Sequence, residues 1–103
     1  MDLIHENFCF RRLTVTGRVS RLSKDIVLGF SGYLSFWVTV EQAPRPTKVL
    51  RVSGEIWGPQ LAIAEQIKDG SVVTLIGCLK APDLGAMIQL PGFDLEQVLE
   101  VAA

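Results

Sequence analysis

Histidine is nearly missing from the chain, which holds one, His5, and cysteine appears twice, at Cys9 and Cys78. With no ligand cluster near His5 and no CxxC spacing, no pattern fits zinc, and no metal or other cofactor is expected. His5 reads as a surface or edge residue. No nucleophile-elbow phrase, phosphate loop or metal motif accompanies the serines and acids, which sets enzymatic activity aside. No apolar run approaches the roughly 20 residues of a membrane helix. The start, MDLIHENF, has neither the basic nor the apolar region of a signal peptide. The expected location is the cytoplasm, with no membrane partner. There the two cysteines read as separate, small, buried apolar side chains, and a disulfide is the lesser alternative.

A surplus of one charge is also lacking: ten Lys and Arg face eleven Asp and Glu, for a net charge of −1. A strongly basic balance is the usual footprint of a nucleic-acid partner, so the total argues against one. The distribution is uneven, however. Residues 1–51 hold eight basic and four acidic side chains, and the remainder hold two and seven, giving +4 against −5. That asymmetry permits a basic face on a nearly neutral molecule; ordinary solvated surface charge is the plain alternative.

What the chain has is hydrophobic side chains, 49% of 103 residues, enough for the core of one domain. Leu13, Val15, Gly17 and Val19 alternate with polar neighbours, the period of a strand with one wet face. After SKDIVLGFSG, whose glycines signal turns, Leu34, Phe36, Val38 and Val40 alternate with Tyr33, Ser35, Trp37, Thr39 and Glu41. APRPT, residues 43–47, reads as a loop because proline cannot donate to a ladder. A third strand spans about residues 48–57, with Arg51 and Trp57 on the side opposite Leu50 and Val52.

The period then changes. Pro59 suits a first helical turn, and Leu61, Ile63, Ala64 and Ile67 recur at helical spacing through PQLAIAEQI. Asp69-Gly70 is a turn, Val72–Leu79 a fourth strand, APDLGA a loop, and a fifth segment runs from Met87 with an interruption at Pro91-Gly92. Three strands, a helix and two strands predict an all-β fold, the OB-fold, a five-stranded Greek-key barrel with one short helix between strands three and four. The single domain spans 1–103, as an N-terminal apolar arm (1–10, with Leu3, Ile4, Phe8 and Phe10) and a barrel (11–100). Gly17, Gly54 and Gly77 fall within strands, where a missing side chain permits the coiling that closes a small barrel.

RLTVTGRV at 12–19, VLRVSGEI at 49–56, KDGSVVTLIGCL at 68–79 and a last strand beginning AMIQL resemble the bacterial single-stranded DNA-binding proteins. In length and in the VSG and GSxVTxxG phrases the chain is more similar still to the primosomal replication protein N (PriB) family. The resemblance spans residues 12–98. It implies a homodimer that binds single-stranded DNA in replication or replication restart, with replisome proteins as partners. The chain departs from the pattern in two places: APDLGA stands where PriB-like proteins carry a lysine-rich loop, and LEQVLEVAA stands where single-stranded DNA-binding proteins carry an acidic, phenylalanine-terminated tail.

Single-stranded bases expose their π-faces, so aromatics on a basic strand surface bind them with little sequence preference. Tyr33 and Trp37 share the wet face of strand two, and Arg51 the corresponding face of strand three. Arg12 and Arg18 project from strand one, while Arg45 and Lys48 flank the connection between strands two and three, where they could follow a phosphate backbone. The alternative for Trp37 is to cap the open end of the barrel or to fill a dimer interface. Trp57, beside Gly58-Pro59, reads as packing. The alternative function is an OB adaptor that docks on another protein without nucleic acid, favoured by the neutral balance, the loop APDLGA and the apolar arm.

Overall fold

Alternation of apolar and polar residues builds five strands that close on themselves in the order β1-β2-β3-β5-β4. The computed structural model describes residues 9, 11–27, 31–42, 45–80 and 91–102. The strands are β1 (Arg11–Val27), β2 (Ser31–Gln42), β3 (Arg45–Trp57), β4 (Val72–Leu79) and β5 (Gly92–Ala102), with helix α1 (Pro59–Ala64) between β3 and β4. All neighbours are antiparallel except β3 and β5, which run parallel over Arg51–Ser53. This is the five-stranded OB barrel with its helix in the expected place.

β1 serves two neighbours. Arg11–Arg18 pair with β4, and Arg18–Val27 pair with β2. Closure requires the strand to turn sharply at the change, and Gly17 sits there: a Cβ on it would lie 2.5 Å from the Thr39 carbonyl oxygen and the Val38 side chain. Gly77 lets the Phe93 ring lie directly over the β4 backbone, space that a Cβ would fill. The core side of the pleat is closed by Val19, Leu34, Phe36, Val52, Leu75 and Phe93, each at most 2% exposed.

The helix is shorter than its periodicity predicts. It ends at Ala64, where the Lys24 ammonium donates to the carbonyls of Ala64 (3.4 Å) and Glu65 (3.1 Å), a cation at the end of the helix that favours positive charge. Ile67 is nonetheless buried with Leu61 and Ala64, because the chain continues as a tight turn in which the Ile67 amide donates to the Ala64 carbonyl. Gln60 accepts the Val98 amide hydrogen at 2.6 Å and fixes the helix to β5.

Three boundaries differ from expectation. SKDIV continues β1 instead of forming a turn, because its backbone pairs with Ser31–Ser35 of β2. Pro46 and Thr47 lie inside β3; the ladder shifts register between Val40 and Gln42, so the missing proline N–H falls where no regular pair is made. Pro91 precedes β5, and its carbonyl accepts the Arg51 amide hydrogen at 2.9 Å. The predicted start at Met87 lies outside the described residues, as do Leu3, Ile4, His5, Phe8 and Phe10 of the arm.

The two cysteines correct the sequence reading: Cys9 and Cys78 form a disulfide, with Cα atoms 5.4 Å apart. The pairing follows from the β1–β4 register, which sets Arg12 opposite Cys78 and brings the residues just before β1 beside the end of β4. No helix among the described residues is long and apolar enough to cross a membrane.

Candidate nucleic-acid interface

On the outer face of β1, β2 and β3, the register aligns side chains in rows. Asp25, Tyr33 and Glu55 form one row, Ser23, Ser35 and Ser53 the next, and Trp37 pairs with Arg51 on one side and Ser20 on the other. Arg18 and Thr39 follow, opposite Val49. A groove of about 250 Å³ runs along Tyr33, Ser35, Trp37, Arg51 and Ser53, with Gly92 of β5 at its margin. A larger hollow of about 480 Å³ begins in the next rows, lined by Thr16, Arg18, Ser20 and Thr39.

A β-bulge in β1 supplies a residue that strand periodicity did not point to. The register shifts between Ser20 and Ser23, and Arg21 takes a left-handed backbone conformation with φ of 54°. A non-glycine residue there is sterically disfavoured and persists only where its surroundings hold it. What holds it is visible: the Leu22 amide hydrogen, left out of the ladder, is accepted by the Asp69 carboxylate at 3.0 Å. The consequence is that the Arg21 guanidinium lies over the Trp37 indole, 4.0 Å from the ring centroid. A signal did exist in the sequence. Apolar residues at 13, 15 and 19 are followed by Leu22, one residue out of step, as a bulge requires.

Of the seven residues singled out, the structure gathers Arg18, Tyr33, Trp37 and Arg51 on one face. Trp37 is half-buried, Tyr33 is 49% exposed, and Arg18 and Arg51 are exposed. Arg18 also donates to the Gly70 carbonyl at 2.8 Å, so it braces the turn before β4. Arg12 lies six residues further along β1, about 20 Å away. It forms a two-point bond to Glu96, Nε to Oε1 at 2.9 Å and Nη2 to Oε2 at 2.6 Å. That hydrogen bond, reinforced by charge, raises the Arg12 pKa and holds the Glu96 carboxyl below its ordinary range. Lys48 is exposed but takes the same side of the pleat as Leu50 and Val52, away from Trp37. Arg45 opens β3 opposite Gln42, and its side chain lies outside the described residues.

Trp57 departs from expectation. It is 59% exposed and stands opposite Ser31 on this same face, because the register that puts Tyr33 outside also puts Trp57 outside. Among the described residues no group of three or more His, Cys, Asp or Glu gathers as a metal site would need.

No protein-family model matches the sequence, and no curated protein does. Among solved structures, the second single-stranded DNA-binding protein (SSBb) from Mycobacterium smegmatis is similar, with a TM-score of 0.60 at 16% identity over 84% of this chain and 84% of that one. At that identity the likeness is one of fold, and it places the closed five-stranded barrel among OB-folds.

Proposed function

We propose that this chain binds single-stranded DNA on the Trp37 end of the β1–β2–β3 face. The observation that carries the reading is the indole of Trp37 bordered by three guanidinium-bearing residues, Arg21 over its ring, Arg51 opposite it and Arg18 in the adjoining row. Stacking on an aromatic ring is worth about 1–3 kcal/mol per base and tolerates any base. A base joins this stack on the guanidinium plane or in its place on the indole, and the displaced cation stays within reach of the phosphate. The similar Mycobacterium smegmatis structure is that of a single-stranded DNA-binding protein, which supports the reading. A role in replication or replication restart, as a homodimer with replisome partners, is the finer form of the proposal and follows from the sequence resemblance.

Titration with a fluorescent oligo-dT at low salt tests it. In a Trp57→Phe background, quenching of the remaining tryptophan reports on Trp37 alone. Saturable quenching that weakens as salt rises is the expected result, and no detectable affinity at low salt sinks the proposal.

A further inference from the structure

At the other end of this face, the described charged side chains are acidic and do not suit a phosphate. Tyr33 lies between Asp25 on β1 and Glu55 on β3, both exposed. Trp57 occupies the diagonal position, two residues beyond Glu55, so the two residues are diagonal neighbours, about 7–8 Å apart along the sheet and within reach of long side chains. These are the more exposed of the described aromatic side chains, at 49% and 59%. Neither carboxylate has an ion-pair partner among the described residues. Lys24, the cation nearest in sequence to Asp25, is engaged with the carbonyls of Ala64 and Glu65. Among the described residues, two exposed rings and two carboxylates thus gather here without a cation.

We propose that this end is a docking site for a lysine- or arginine-bearing segment of a partner protein. Charge complementarity selects the occupant. A guanidinium or ammonium group reaches either carboxylate while its methylene stem lies across the rings, and the cation itself is attracted to an aromatic face. Exposed Trp and Tyr side chains are the residue types enriched where proteins bind one another. A phosphodiester chain is repelled by Asp25 and Glu55. The proposal does not rest on DNA binding at the Trp37 end, and the two stand or fall separately.

The test is an NMR titration of the isotopically labelled full chain at low salt with a blocked glycine-arginine pentapeptide. Saturable shifts of the Trp57 indole N–H and the Tyr33 and Glu55 amides are expected, with none from the corresponding glycine-glutamate peptide. The double variant Asp25→Asn, Glu55→Gln weakens binding about tenfold, the effect of removing two exposed ion pairs. Both sites are exposed, and unchanged amide dispersion elsewhere confirms that the variant folds. Trp57→Ala weakens the same titration. No shift at low salt overturns the proposal, as does equal affinity of the double variant. Equal response to the acidic peptide or to oligo-dT overturns it too. Movement of the Trp57 signal with protein concentration alone would assign the face to a second copy and equally overturn it.

Discussion

Trp37 and Tyr33 stand on the same strand, on the same face, four residues and about 13 Å apart, yet their surroundings are opposite in sign. Trp37 has Arg21 over its ring and Arg51 across the ladder; Tyr33 has Asp25 on one side and Glu55 on the other. Between them lie the hydroxyls of Ser23, Ser35 and Ser53. The face is therefore not one platform. Its aromatic rings share a geometry, and the neighbouring charges decide what each ring can accept. A whole-chain charge of −1 averages over this division.

The comparison breaks most readily at Trp37. Trp37→Ala should cost about 1–3 kcal/mol of oligo-dT affinity, roughly a 5- to 150-fold rise in Kd, while Tyr33→Ala changes it less than about twofold. Fluorescence anisotropy at low salt measures both. Equal losses would mean that the acids beside Tyr33 do not exclude nucleic acid.

Charge gives the next effect. Arg51→Ala should weaken oligo-dT binding several-fold and lower the slope of log affinity against log salt by about 0.7, the contribution of one phosphate contact on a single strand. Glu55→Ala should leave that slope unchanged and raise the affinity slightly, since it removes a repulsion without removing a contact. If both substitutions move the slope alike, the two ends form one electrostatic surface.

Much of this face was legible in advance, because strand alternation alone puts Tyr33, Trp37 and Arg51 on one side. The same alternation implied that Trp57 shares it. Its place beside Gly58 and Pro59 suggested packing instead, but the helix turns away after Gly58, whose φ is 55°, and leaves the indole outside. Lys48 was assigned to the connection between strands two and three, although a strand from residue 48 already gives it the parity of Leu50 and Val52; in β3 it takes that side, away from Trp37. The Cys9–Cys78 bond was not legible, since a separation of 69 residues carries no register. The partner of Arg12 was hidden for the same reason. A bulge in β5, where Ile76 faces Gln97 and Gly77 faces Leu95, leaves Glu96 unpaired and presents its carboxylate to Arg12.

Arg21 separates geometry from charge at the Trp37 end. Arg21→Gly and Arg21→Ala both remove the guanidinium, so both should weaken oligo-dT binding to the same degree. Only glycine accepts φ of 54° without steric cost. The glycine variant should accordingly be the more stable of the two by about 1 kcal/mol in urea unfolding. If the two are equally stable, the left-handed backbone is not strained, and the bulge follows from the ladder alone.

The smallest effect belongs to Arg12, the cation that the fold removes from the face altogether. Its bond with Glu96 holds that carboxyl below its ordinary pKa, so folding favours the ionised form. Any stabilisation is complete above the unfolded-state pKa and is lost as pH falls through the depressed folded value, which places the window on the acid side of the usual carboxylate range. Both side chains are well exposed, at 61% and 38%, and water and salt screen the pair. Glu96→Gln should therefore leave the unfolding midpoint at neutral pH almost unchanged and flatten the acid limb only slightly. It should also leave oligo-dT binding unaltered, since freeing Arg12 adds a cation about 20 Å along β1 from Arg18. A gain in affinity in this variant would show that the bound strand extends around the barrel onto β1 and β4, and would redraw the boundary of the basic end.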